Sequence, residues 1–252
     1  VERYRGLALT DVLGKLAERL ILYRVVPHSE ARGMISDVQG AFRRGRGTEE
    51  QSLVFHELLA AAYEGRGRAP VFVVALDVKR AYDSCRRSLL LLALWHRGIR
   101  GRLWRLIGKW LGDAHANMRG VPGRKWLVNC GLPQGAVLSP WLWNMFAEEL
   151  ISLLREGGCG MKYRGRWCGV LFFADDILIC ETSAARLRSA LAVISWAASS
   201  WGLTFNTGKC QAFAVGLPPG APRWRARLQD EVIEQVPVLK YLGVLVSDKG
   251  RF

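Results

Sequence analysis

An α+β fold follows from three observations on the 252-residue chain: strand-like and helix-like apolar patterns are both present, they are interspersed without a regular βαβ alternation, and no internal repeat is visible. Taken in order, Leu7 to Arg24 predicts an amphipathic helix with Leu9, Val12, Leu16, Leu20 and Tyr23 on its apolar face. Residues 37–47 form a glycine-punctuated loop carrying Arg43, Arg44 and Arg46. Thr48 is placed to cap a helix reaching about Glu64, with Glu49 and Glu50 suited to its first turn. A turn over 65–70 leads into Val71–Leu76. That run is wholly apolar and rich in β-branched residues, the mark of a strand buried on both faces.

Leu89–His96 and Leu103–Leu111 are read as helices flanking Arg97, Arg100 and Arg102. From about His115 to Val128 a hairpin is expected, turned at Pro122 and Gly123. Ser139–Leu154 is a helix with Pro140 in its first turn. Val170–Ala174 and Ile177–Cys180 are two apolar runs separated by Asp175 and Asp176, hence a β-hairpin with carboxylates at its tip. Ser183–Trp201 is a helix stopped by Gly202, and strands are expected over Leu203–Phe205, Cys210–Val215 and Tyr241–Val246.

Thirty-six Lys and Arg against 22 Asp and Glu give a net charge of +14, which favours a polyanionic partner. Half the residues are hydrophobic, excluding a disordered tail. Six cysteines show no C-x-x-C pair and no histidine at zinc-finger spacing, so they are read as reduced thiols of an intracellular protein. The longest apolar run, Leu89–Trp95, is far too short to cross a bilayer, and no membrane partner is expected. The chain starts at Val1 without methionine and stops at Phe252 after an apolar strand pattern, so a fragment of a longer polypeptide is expected.

Two carboxylates inside Phe172–Leu178, with no basic neighbour in sequence, repel one another if both ionise close together. A cation held by oxygen ligands answers that repulsion, and magnesium suits such ligands; an exposed hairpin turn is the competing explanation. Asp77 ends the buried strand. With Asp175 and Asp176 it makes three carboxylates able to hold two magnesium ions across a phosphoryl transfer. Gly131–Pro140 (GLPQGAVLSP) is a Gly- and Pro-punctuated loop entering a helix, open to close backbone approach by a ligand or simply a turn, with Gln134 as donor and acceptor.

ALDVKRAYD (75–83) resembles the first catalytic motif of reverse transcriptases, GLPQGAVLSPWLWN (131–144) the second and FADD (173–176) the third. QGAFRRGRGTEEQ (39–51) resembles the fingers motif of non-LTR retrotransposon and group II intron enzymes, and RGLALTDVLGKLAERLI (5–21) the segment before it. Trp201–Gln211, with Asn206 and Lys209, resembles the fourth motif, and LKYLGV (239–244) the primer-contacting strand pair. Order and spacing match over nearly the whole chain, and the likeness is to LINE-like elements. It implies a right-hand palm with partial fingers and an antiparallel catalytic sheet packed on helices. Residues 1–70 would be fingers, 71–235 palm, and 236–252 primer-grip strands ending before a thumb.

The resemblance makes Asp77, Asp175 and Asp176 catalytic and metal-binding, with Asp176 the lesser ligand of two Mg2+ ions (Mn2+ a substitute). Tyr82 would screen the sugar against a 2′-hydroxyl and Gln134 would contact the incoming deoxynucleoside triphosphate. Arg43 or Arg46 would hold its phosphates. Lys209 would protonate the leaving pyrophosphate, or be an ordinary surface lysine. Tyr241, Leu242 and Gly243 would grip the DNA primer. Template RNA and further domains of a polyprotein are the implied partners, and the nucleus the implied location. Gly6, Tyr82 and Trp143 depart from the proline, phenylalanine and phenylalanine usual at their positions, removing no catalytic group. Arg97, Arg100, Arg102, Arg105 and Lys109, and Arg223, Arg225 and Arg227, would track phosphates or form solvated faces. The alternatives are a group II intron-type reverse transcriptase or maturase, and an inactive RNA-binding scaffold of the same fold.

Overall fold

The computed structural model describes residues 11–64, 70–112, 115–117, 125–127, 130–218, 220–221 and 224–247. The elements begin with helices α1 (Val12–Ala31) and α2 (Thr48–Glu64), strand β1 (Val71–Asp77), and helices α3 (Ala81–Ser84), α4 (Arg87–His96) and α5 (Gly101–Gly112). Strands β2 (His115–Asn117) and β3 (Lys125–Leu127) precede helix α6 (Ser139–Glu156). Then come β4 (Lys162–Tyr163), β5 (Arg166–Trp167), β6 (Val170–Phe173), β7 (Asp176–Glu181) and helix α7 (Ala184–Trp201). The last strands are β8 (Gln211–Val215), β9 (Ala226–Leu228), β10 (Glu231–Gln235), β11 (Val238–Tyr241) and β12 (Val244–Ser247). Among the described residues no helix is long and apolar enough to cross a membrane.

The chain forms two compact units, Val1–Ser36 with Arg80–Glu149, and Asp37–Lys79 with Leu150–Phe252. These units interleave along the sequence, whereas the expected divisions at 70 and 235 run in chain order. The second unit holds a six-stranded sheet in the order β6-β7-β1-β8-β10-β9. It is antiparallel throughout except for the β8–β10 pair, which is parallel. β1 lies in the middle, buried on both faces as its unbroken apolar run requires, and α2 adds Phe55, Leu58 and Leu59 to the core over Val71, Val73, Leu178 and Phe213. Helix α7 is set by Ser183, whose hydroxyl accepts from Arg186 N, and is closed by Gly202 in the left-handed region at φ 74°.

In the first unit α1 overturns its expected face. Leu9 lies outside the described residues, but Val12, Leu16, Leu20 and Tyr23 are all exposed, Tyr23 by 83 %. The buried positions are Glu18, Val25 and Ser29. Polar anchors hold this helix: Glu18 Oε2 accepts from Leu138 N at 2.9 Å, and Ser29 Oγ accepts from Trp141 Nε1 at 3.2 Å. Arg87, also buried, donates to the carbonyls of Gly131 and Leu111 and so ties α4 to the glycine loop and to α5.

Other sequence expectations shift in detail. Leu203–Phe205 is no strand; Phe205 makes only an isolated bridge to Val78. The run Tyr241–Val246 is broken by a two-residue turn, Leu242 at φ 46° and Gly243 at φ 89°, into the β11–β12 hairpin. β2 and β3 do pair, while their turn at Pro122 and Gly123 lies outside the described residues. Among the cysteines Cys85, Cys159, Cys180 and Cys210 are buried, Cys168 is half-buried and Cys130 exposed, all as free thiols.

Candidate active site

Register brings the acidic residues of the second unit together. β1 and β7 pair antiparallel with Asp77 directly opposite Asp176, at the end where the β6–β7 hairpin turns. The turn is two residues long, Ala174 and Asp175, and Ala174 sits in the left-handed region at φ 57°. That conformation is strained for any side chain with a Cβ. Asp175 accepts from Val78 N through its carbonyl, which fixes the tip against the end of β1.

Electrostatics mark the same point. The Asp176 carboxyl is pushed up to about 6, first by burial, then by the charges of Asp175 and Asp77, with Lys209 acting against them. Among the described residues no donor is bonded to the Asp176 carboxylate. Lys209 reaches the site because the turn after Asn206 docks on β1: Asn206 N donates to the Asp77 carbonyl at 2.9 Å. Lys209 Nζ then lies 4.0 Å from Asp77 Oδ1, on a side chain 64 % exposed. A cleft of about 180 Å³ opens here, lined by Asp77, Asp176, Lys209, Gln211, Lys240 and Leu242 among others.

Three carboxylates without nitrogen or sulfur donors suit a hard divalent cation, and their mutual repulsion is what such a cation relieves. Their side chains are not drawn into a ligand cage: among the described residues no three Asp, Glu, His or Cys groups are gathered to hold a metal ion.

Gln39, which sequence reasoning passed over, is the residue that braces the acidic tip. Fully buried, its Oε1 accepts from Ala41 N at 3.1 Å and from Ala174 N at 3.2 Å. Those two donors fix which end of the amide is oxygen. Backbone bonds on either side, Gly40 N to the Phe172 carbonyl and Phe172 N to the Val38 carbonyl, align this segment beside β6. Gly40 has no room for a side chain, because a Cβ there meets Gln51 at 2.6 Å. A buried glutamine before a glycine, in a loop otherwise rich in arginine, was the available signal.

Arg43 Nη1 donates to the Gln39 carbonyl at 3.0 Å, and Arg46 pairs with Asp37 at 2.5 Å. Both arginines thus branch from the segment that carries Gln39. Tyr241 ends β11 with its side chain packed into the core. The residue is 3 % exposed, its ring packs edge-on against Phe55, and among the described residues its hydroxyl has no hydrogen-bond partner. Tyr241 and Leu242 both line the cleft beside Asp77 and Asp176. In the first unit Tyr82 stands edge-on to Trp143 with ring centres 5.8 Å apart, and Gln134 Nε2 donates to Asp83 Oδ1 at 3.0 Å. Gly131 is required there, since a Cβ would meet the Asp83 backbone at 2.9 Å.

The family profile described as "Reverse transcriptase (RNA-dependent DNA polymerase)" matches residues 1–246. The chain is 29 % identical over 251 residues to the Pol polyprotein of the type-1 retrotransposable element R2 of Popillia japonica, covering 95 % of this chain and 34 % of that protein. It is 26 % identical over 272 residues to the RNA-directed DNA polymerase of the mobile element jockey of Drosophila melanogaster, covering all of this chain and 28 % of that one. The chain therefore spans about a third of the length of the curated relatives it matches. Among solved structures, telomerase from Candida tropicalis superposes with a TM-score of 0.64 at 12 % identity, over 93 % of this chain and 44 % of that one. At that identity the likeness is one of fold.

Proposed function

The chain belongs to the reverse transcriptase (RNA-dependent DNA polymerase) family, and on that premise we propose that it is the catalytic core of an RNA-directed DNA polymerase of a LINE-like retrotransposon. It would add deoxynucleotides to a DNA 3′ end on an RNA template. The observation that carries this is the meeting of Asp77 and Asp176 across the β1–β7 ladder, beside Asp175, with the Asp176 carboxyl raised by burial and then by the charges of its neighbours.

Asp77 and Asp175 would hold two magnesium ions, with Asp176 contributing less. Bound there, the ions would supply positive charge to the phosphoryl transfer. The chain's own groups do the rest. Gln39 holds the tip bearing Asp175 in place, and Lys209, beside Asp77, would give a proton to departing pyrophosphate. Arg43 or Arg46 would meet the triphosphate, Gln134 the incoming nucleotide, and the Tyr82 ring a 2′-hydroxyl. Tyr241, Leu242 and Gly243 would contact the primer. Further domains of a polyprotein and a nuclear location belong to the same proposal.

Primer extension on an RNA template tests it. The expected result is magnesium-dependent synthesis that Asp77→Asn or Asp175→Asn lowers by three decades or more, since a carboxylate anchoring the ions is worth several kcal/mol. Synthesis that survives in Asp77→Asn overturns the assignment. Tyr82→Ala should raise ribonucleotide use relative to deoxynucleotide use; an unchanged ratio in a folded, active variant removes Tyr82 from sugar selection.

A further inference from the structure

The other end of the β6–β7 hairpin carries a feature that the catalytic reading does not use. There the chain makes a short hairpin, β4–β5, with the sequence Lys162-Tyr163-Arg164-Gly165-Arg166-Trp167. Its two-residue turn, Arg164 at φ 48° and Gly165 at φ 79°, matches the natural twist of paired strands. Lys162, Arg164 and Arg166 are exposed, and none of the three forms an ion pair among the described residues.

This hairpin is rigidly mounted. Met161 N donates to the Cys180 carbonyl and Gly169 N to the Met161 carbonyl, both at 2.9 Å. Trp167 Nε1 donates to the Cys159 carbonyl at 2.6 Å. Beneath it the buried carboxylate of Glu181 accepts from Gly160 N at 2.6 Å and from Arg186 Nε at 2.9 Å. Gly169 is needed for the close approach, because a Cβ would meet Met161 N at 2.1 Å. The charges are therefore carried on a fixed backbone, so binding has no main chain left to order here.

The aromatic faces narrow the partner. The Arg155 guanidinium lies 4.5 Å from the centre of the Trp167 ring, and that of Arg164 lies 5.1 Å from the Tyr163 ring. With a guanidinium over one face of each half-buried ring, base stacking is disfavoured, and the dominant feature is a row of cations spaced along a strand pair. The geometry points to a phosphate-backbone contact: we infer that the β4–β5 hairpin is a second, sequence-independent docking site for the template strand, outside the catalytic cleft. It rests on the polymerase reading for the identity of its polyanion. Asp176 and Cys180 are separated along one extended strand by roughly 13 Å. A strand serving the acidic tip reaches the hairpin within a few nucleotides.

The test uses the whole chain, a labelled single-stranded RNA of several tens of nucleotides, a DNA strand of the same sequence, and salt titration. Three phosphate contacts to a single strand contribute about 2 to the slope of log affinity against log salt. The triple variant Lys162→Ala, Arg164→Ala, Arg166→Ala should lose that slope and on the order of a hundredfold in affinity at 0.1 M salt, equally for RNA and DNA. The lysine-retaining variant Arg164→Lys, Arg166→Lys should keep the slope, which separates lost charge from lost folding. A triple variant that melts normally yet keeps slope and affinity overturns the docking site. Failure of the unaltered chain to extend primers would overturn the polymerase reading while leaving the binding result to stand by itself.

Discussion

Strand β7 carries a carboxylate at each end, Asp176 and Glu181, and the two are treated in opposite ways. Glu181 is fully buried, yet it receives a backbone N–H from Gly160 and the guanidinium of Arg186. Asp176 is only half-buried, yet it faces Asp77 and Asp175 and receives no donor among the described residues. Burial alone therefore does not mark a functional carboxylate. A charge satisfied within the chain is structural, and a charge left to repel its neighbours is held for something the chain does not contain.

The contrast breaks most visibly at Glu181. Glu181→Leu strands the Gly160 N–H and releases Arg186, and should cost about 3 kcal/mol of stability, read as a fall in denaturation midpoint. An unchanged midpoint would mean the buried acid is not the anchor of the β4–β5 hairpin. At the acidic end the corresponding brace is Gln39. Gln39→Leu leaves Ala41 N and Ala174 N without an acceptor and should destabilise by about 2 kcal/mol. Gln39→Glu keeps the acceptor. Catalysis retained in full by Gln39→Leu would show that the tip needs no brace.

Asp176→Asn should act in the other direction, raising the stability of the metal-free chain by about 1–2 kcal/mol at neutral pH once solvent screening is allowed for. The sign follows from proton binding. The folded carboxyl titrates near 6 and the ordinary one near 3.8, so between these values the folded state holds more protons. Stability of the unaltered chain therefore falls as pH rises through that window and stays lower above it. The Asn variant should flatten the profile, and magnesium should restore stability above pH 6. The smallest expected effect is at Ala174, where glycine accepts φ 57° freely: Ala174→Gly should add less than about 1 kcal/mol. A loss instead would place the strain elsewhere in the turn.

Legibility in the sequence followed the range of the interactions. The β6–β7 hairpin was readable because its signals are local: two apolar runs with two acids between them. Ser183 and Gly202 bounded α7 for the same reason. The β9–β10 hairpin was not readable, because its turn at Gln229 and Asp230 lacks the glycine that usually announces one. Helix α1 was misread because periodicity reports which face is apolar, whereas its buried stripe is set by hydrogen bonds from residues more than a hundred positions away. That the Tyr241 ring packs on Phe55 was not readable, because an aromatic ring suits a ligand and a core equally well.

By itself the sequence determined the strands that end in carboxylates, since a continuous apolar run closed by an aspartate can be satisfied only by burying the run and leaving its acidic end at the edge. It determined the family for the same reason, through motifs whose order survives in one dimension. Only the tertiary structure decided that Asp77 stands opposite Asp176, that Lys209 lies beside them, that Gln39 braces their turn, and that Glu181 is spent on a hairpin. Those facts depend on register, and register is a property of paired strands that no single strand encodes.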